Sequence, residues 1–169
     1  MDDNKKTHIR DAHDNDYPSV VRLNDEVVEQ TSPMNLERLN YLSSLAAYFK
    51  VAVSDDQVVA FLLAMKNGAS YQNGNYEWFC SRYHSFLYVD RIIVDSTFQG
   101  CGIGTKLYRD LFRFAQAAGI PLITCEINVV PPNEISTAFH ARIGFSEAGS
   151  QWICKGLKKV SMQTALVGD

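Results

Sequence analysis

Three glycines at alternate positions, Gly100, Gly102 and Gly104, stand between the apolar run "FLYVDRIIV" and the amphipathic run "KLYRDLFRFAQAAG". A glycine-rich turn that leaves a strand and opens a helix lets bare backbone N–H groups approach an anion, and the helix N-terminus adds partial positive charge. Phosphate is the guest that suits such a loop. Two common phosphate loops fail on spacing. A Walker loop needs Gly-Lys followed by Ser or Thr, whereas Gly104 is followed by Thr105 and then Lys106. The dinucleotide fingerprint needs glycine at its first, third and sixth places, and the sixth place counted from Gly100 is Thr105. Taken alone, the three glycines are equally compatible with a plain tight turn, so the flanks must decide.

Other reactive side chains are scattered. Cys80, Cys101, Cys125 and Cys154 form no Cys-x-x-Cys pair, which argues against a zinc site and against a disulfide framework. They read as reduced thiols. Cys101 in the loop and Cys125 in a predicted strand are conceivable nucleophiles, yet neither has an activating partner evident in the sequence, and burial as small hydrophobes is favoured. The four histidines show no ligand spacing, so no metal is expected.

At 169 residues, 46% apolar and 21% charged, the chain has the size and composition of one globular domain. Its formal charge of −3 and the lack of a basic run remove the electrostatic footprint of a nucleic-acid binder. No apolar stretch approaches the roughly 20 residues of a membrane span, and "MDDNKKTHIRDAHDND" has no apolar signal region, so a cytoplasmic protein is expected. The oligomeric state is left open, a homodimer included.

The elements that must position the loop follow from periodicity. Residues 8–11 make a short strand, and a helix starts near Asp14 or Asp16 with Pro18 in its first turn and Val20, Leu23 and Val27 on one face. A second helix follows "SPMN", then a hairpin turns around Ser54 to Gln57. Residues 67–85, "NGASYQNGNYEWFCSRYHS", read as an aromatic insertion with at most a short helical piece. After the strand 86–94 and the glycine loop comes a helix with Ile103, Leu107 and Leu111 in its stripe, stopped by Gly119 and Pro121. "PLITCEINVV" is a strand, "PPNEISTAFHARIGF" a helix, and two strands with a turn near Lys155 and Gly156 finish the chain. The order β-α-α-β-β-β-α-β-α-β-β has no visible linker or repeat. It predicts a mixed α/β fold, one domain over 1–169 with a mixed sheet and helices on its faces.

Those flanks also carry a family resemblance. Gln99-Gly100-Cys101-Gly102-Ile103-Gly104 after "VDRIIV" resembles the acetyl-CoA signature of the GNAT N-acetyltransferase superfamily, and Asn133 to Phe145 resembles its downstream Asn-x-x-Ala-x-x-x-Tyr-x-x-x-Gly-Phe segment. The match spans about residues 86–146; the N-terminal part agrees in element order and in its "IRDAHDND" opening. The resemblance implies that Gln99, Gly100, Cys101, Gly102, Ile103 and Gly104, with Thr105 just inside the helix, cradle the pyrophosphate of acetyl-CoA. It further implies that Ile92, Ile93 and Val94 offer backbone groups to the pantetheine arm and that Asn133 contacts the same arm, with Ser136 in the alanine position of the motif. Asn133 is equally placed to cap a helix after two prolines, and both roles are compatible.

The implied reaction moves an acetyl group to a primary amine by direct attack in a ternary complex. Where the family often has a tyrosine that protonates the leaving thiolate, this chain has His140, whose imidazolium could do the same work, or which could simply line the site. An alkylamine is mostly protonated at pH 7, so a base is useful. Strand alternation makes Glu126 and Asp90 the candidate carboxylates, each equally readable as half of an ion pair, for instance with Arg91 or Arg142. In the insertion, Tyr76 and Trp78 either complete a core or wall the acceptor pocket. An apolar wall and negative charge favour a small-molecule amine over a protein or peptide N-terminus or lysine. A non-catalytic acyl-CoA sensor and an acyl-enzyme route through Cys101 or Cys125 are the rivals.

Overall fold

The structure, a computed structural model, describes residues 7–168. In chain order the elements are β1 (His8–Asp11), α1 (Tyr17–Glu26), α2 (Leu36–Leu45), β2 (Ala46–Ser54), β3 (Gln57–Lys66), α3 (Gly74–Cys80) and β4 (Leu87–Val94), then α4 (Ile103–Ala117), β5 (Leu122–Val130), α5 (Glu134–Arg142), β6 (Ser146–Ile153) and β7 (Lys158–Leu166). The strands form one seven-stranded mixed sheet in the order β1-β2-β3-β4-β5-β7-β6. The α/β fold expected from the sequence is the fold observed. The chain packs as two compact units, one built from the described residues up to Met65 with Asp90–Leu111, the other from Lys66–Val89 and the described residues from Phe112 onward.

In the first unit, Arg10 on β1 grips Asp16 through two hydrogen bonds of 2.7 and 2.8 Å, and the same carboxylate accepts the His13 N–H at 2.8 Å. This knot fixes the entry into α1, where Pro18 sits in the first turn and Val20 and Leu23 are buried. Asn35 caps α2 by accepting the Arg38 N–H at 2.8 Å. β2 and β3 pair antiparallel and turn through Asp55 and Asp56, both with positive φ (48° and 60°), the two-residue turn whose twist matches a hairpin. β3 is buried from Val58 to Met65, as a strand covered on both faces must be. The Tyr48 hydroxyl and the Lys50 ammonium both meet Asp110 of α4 at 2.8 Å.

In the second unit, the insertion folds into the seven-residue α3, with Asn73 accepting the N–H groups of Asn75 and Tyr76. The rings of Tyr71, Tyr76, Phe79, Phe86 and Tyr88 pack with neighbouring centroids 5.6 to 6.5 Å apart. α4 ends at Gly119 (φ 66°), and the Ile120 N–H returns to the Ala115 carbonyl at 2.9 Å. β5, β7 and β6 are antiparallel neighbours. β4 pairs with β5 in parallel at Leu87↔Ile123 and Tyr88↔Thr124. Three consecutive left-handed residues, Cys154, Lys155 and Gly156, make the last turn where the sequence placed it.

Candidate active site

The glycine loop lies wholly in the first unit. Gly100 and Gly102 have φ of 78° and 75°, a region closed to most side chains, and a Cβ added to either would meet nothing within 4 Å. The glycines are therefore required by backbone shape, and the space beside them is open. The Lys106 N–H is the first to reach back into the helix, to the Gly102 carbonyl at 3.0 Å, so α4 begins with the N–H groups of Ile103, Gly104 and Thr105 lacking intrahelical acceptors. That is a cradle for an anion at the positive end of a fifteen-residue helix. The residues present fit the diphosphate of a CoA thioester. Upstream, Ile93 is buried and Ile92 and Val94 are half-buried, with the parallel pairing of β4 to β5 recorded at Leu87 and Tyr88.

Asp90 and Arg91, adjacent on β4, form an ion pair, Nε to Oδ2 at 2.7 Å, with side chains only 3% and 5% exposed. The guanidinium goes on to Asn24 Oδ1 at 2.7 Å, the Ser32 carbonyl at 3.3 Å and the Ser32 hydroxyl at 3.1 Å. Asp90 thus takes the ion-pair reading. Its carboxylate is buried against a guanidinium that also ties β4 to α1 and the segment after it.

Glu126 stands differently. It is half-buried on β5, and its Oε1 accepts the Tyr88 hydroxyl at 2.9 Å. Tyr88 is fully buried and is paired in register with Thr124, two residues before Glu126 on the same face of β5. The partner of Glu126 in the β5–β7 ladder is Met162. The sequence placed Tyr88 in a strand without giving it a part in the site; the signal available was that two-residue offset on neighbouring strands.

On α5, Asn133 accepts the Ser136 N–H at 3.1 Å, so the helix cap is a fact of the structure. The His140 ring is buried, edge-on to Phe139 and Phe145 with centroids 5.2 and 5.3 Å away. Its Nδ1 lies 2.8 Å from the Ser136 carbonyl, one turn back, and 3.2 Å from the Ser136 hydroxyl. A carbonyl only accepts, so Nδ1 carries the hydrogen. Burial pushes the imidazole below its ordinary value of 6.5, outweighing the opposite pull of the Ser136 hydrogen bond. Burial thus favours the neutral imidazole, whereas an acid role needs the imidazolium.

The aromatic insertion divides. Tyr76 is 2% exposed, donates its hydroxyl to the Lys66 carbonyl at 2.8 Å and accepts the Ala69 N–H at 3.0 Å; of the two places the sequence allows it, it takes the core. Trp78 is half-buried, with the Arg82 guanidinium 3.8 Å from its ring centroid. Cys101 is exposed, its Sγ 3.9 Å from the Gln99 carbonyl, which corrects the burial expected of it, and Cys125 is buried. Among the described residues there is no group of three or more His, Cys, Asp or Glu placed to hold a metal, and no helix is long and apolar enough to cross a membrane.

A mixed sheet whose fourth strand runs through a glycine cradle into a long helix defines an acetyltransferase of the acetyl-CoA-dependent class. The chain belongs to the acetyltransferase (GNAT) family, whose model matches residues 7–145. No curated protein sequence matches it significantly. Among solved structures it is similar to Ard1 from Thermoplasma volcanium (16% identity, TM-score 0.79, covering 96% of this chain and 99% of that one). It is also similar to the ribosomal-protein-alanine N-acetyltransferase from Brucella melitensis (22% identity, TM-score 0.71, 94% and 99% covered). A third is Chaetomium thermophilum Naa20 in complex with a bisubstrate analogue (15% identity, TM-score 0.74, 95% and 86% covered). At these identities the likeness is one of fold.

Proposed function

We propose that this acetyltransferase acts on the primary amine of a small molecule by direct attack in a ternary complex, with Glu126 as the base. The observation that carries the reading is the contrast between the two carboxylates: Asp90 is locked to Arg91, whereas Glu126 is half-buried and held by a hydroxyl. Acetyl-CoA supplies the activated acetyl group as a thioester. The N–H groups of Gly102 to Thr105 bind its diphosphate, with Gln99, Gly100 and Cys101 shaping the approach. Ile92, Ile93 and Val94 hold the pantetheine arm by their backbone. Asn133, whose Oδ1 is used in the cap, leaves its Nδ2 donors for the same arm beside Ser136, the role the family resemblance implies. Glu126 takes the proton that the amine must shed. The burial of Cys125 supports a route with no acyl-enzyme on that thiol.

A small acceptor is supported by the formal charge of −3 and by a carboxylate base, which favour a molecule arriving as a cation. The insertion supports it through Trp78, since Tyr71, Tyr76 and Phe79 are spent on the core. A peptide N-terminus is the second reading, favoured by the fold likeness to a ribosomal-protein-alanine N-acetyltransferase. A screen of amines, amino acids and peptides for acetyl-CoA-dependent thiol release decides between them. Small amines are expected to show kcat/KM about tenfold or more above peptides. Peptides outperforming every small amine would overturn the acceptor assignment.

A further inference from the structure

The aromatic insertion has no evident part in the chemistry, yet its rings surround one residue that touches the proposed base. Tyr88 lies between the sheet and α3, its ring 5.6 Å from Tyr76, 5.9 Å from Phe79 and 6.5 Å from Tyr71. Tyr76 spends its hydroxyl on Lys66 and Ala69. The Tyr88 hydroxyl goes instead to Glu126 Oε1 at 2.9 Å. A phenol packed on three sides has little rotational freedom, so the direction of its O–H is set by the packing around it.

We propose that Tyr88 is a positioning residue for Glu126, and that the insertion 67–85 exists to lock Tyr88 so that Oε1 of the carboxylate is fixed beside its buried Oε2. This rests on the reading of Glu126 as the base. A carboxylate beside apolar neighbours needs a donor to remain ionised, and an O–H to a charged acceptor is among the stronger hydrogen bonds. Here β7 offers Met162 opposite it, and Thr124 and Asn128 on the same face of β5 are neutral. The titratable and charged groups on the neighbouring elements are Tyr88, Asp90 and Arg91 on β4, Cys125 on β5 itself, Lys158 and Lys159 on β7, and Glu134, Arg142 and His140 on α5, with Tyr71 and Tyr76 behind Tyr88 and burial favouring the neutral imidazole of His140. The hydroxyl therefore both orients the carboxylate and favours its ionised, proton-accepting form.

The test compares Tyr88→Phe with Glu126→Gln in the full chain, using whichever amine the screen identifies. Tyr88→Phe keeps the ring and removes only the donor. It is expected to fold, to bind acetyl-CoA as the parent does, and to lose about tenfold in kcat with a smaller change in acceptor KM. The acidic limb of its kcat/KM profile moves to higher pH, because the ionised carboxylate has lost a donor. Glu126→Gln is expected to lose about a hundredfold or more in kcat and the acidic limb with it. An inactive Glu126→Gln beside a Tyr88→Phe with parental kcat and pH profile would overturn the positioning role and leave the base standing. A fully active Glu126→Gln would overturn the base, and the positioning role with it. Should Tyr88→Phe fail to fold, Phe79→Leu, which loosens the packing and spares the hydroxyl, must show the same kcat loss and limb shift; a parental profile there overturns the proposal.

Discussion

Asp90 and Arg91 are neighbours on one strand whose side chains nevertheless meet, Nε to Oδ2 at 2.7 Å, and neither is more than 5% exposed. In an extended strand adjacent side chains point to opposite faces, so this contact needs the long guanidinium to curl back. It does so while holding Asn24 and Ser32, which makes it the junction between β4 and the end of α1. Breaking one half of a buried pair strands the other charge, at a cost of about 3–5 kcal/mol. Asp90→Asn is therefore expected to lose about that much in urea unfolding, while kcat of the folded fraction stays within a few fold. A stable Asp90→Asn with a hundredfold loss of kcat would return Asp90 to the chemistry.

The loop yields a prediction about binding. Gly102 has a φ of 75° with open space around its missing Cβ, so Gly102→Val meets a backbone penalty of roughly 1–3 kcal/mol rather than a clash. The variant folds and the loop changes shape. Acetyl-CoA should raise the melting temperature of the parent, as any ligand of the native state does, and fail to raise that of the variant. An equal rise in both would place the diphosphate elsewhere.

His140 ties stability to pH. Burial holds its folded-state pKa below 6.5, whereas in the unfolded chain it titrates near the ordinary value. The unfolded state thus binds the proton first, so the contribution of this residue is complete above about pH 6.5 and is lost as pH falls through and below that value, by at most ~1.4 kcal/mol per pH unit. His140→Asn, which can offer an amide N–H to the Ser136 carbonyl, should flatten this fall between pH 6.5 and 5 in urea titrations. An unchanged slope would show that other groups carry it.

The fold was legible in the sequence because each element announced itself locally: Pro18 at a helix start, Gly119 and Pro121 at a helix end, strict apolar runs for the strands. The cradle was legible for the same reason, since glycine at 100 and 102 answers a requirement of the backbone itself. The chemistry of the long side chains was not. Whether Asp90 or Glu126 is committed depends on Asn24, Ser32 and Tyr88, which lie 66, 58 and 38 residues away along the chain from Asp90 or Glu126 respectively, and alternation gives a face without giving a partner. The likeness of His140 to a family tyrosine concealed its surroundings in the same way. Phe139, the motif's own Phe145 and the Ser136 carbonyl one turn back surround its ring, and a motif lists such positions without giving the burial they produce.

The last prediction concerns Trp78, the aromatic residue through which the insertion would meet an acceptor. A Cβ built on Gly149 of β6 would lie 2.6 Å from Cζ2 of the Trp78 indole, closer than Cβ atoms come to other side-chain atoms, and 3.1 Å from its Cη2. Glycine at 149 is thus the seat of the tryptophan, and the Arg82 guanidinium covers the ring at 3.8 Å from its centroid. Gly149→Ala must push the indole away or bend β6, at a cost of roughly 1–3 kcal/mol for overpacking. The other tryptophan, Trp152, is 56% exposed, so a Trp152→Phe background isolates the Trp78 signal. In that background Gly149→Ala should shift Trp78 fluorescence toward that of a more exposed indole. If Trp78 walls the acceptor site, the same variant raises the acceptor KM several-fold while leaving acetyl-CoA binding unchanged, because the glycine cradle itself is untouched. A shifted spectrum with a parental KM would make the tryptophan a packing residue and leave the acceptor to be held by other side chains.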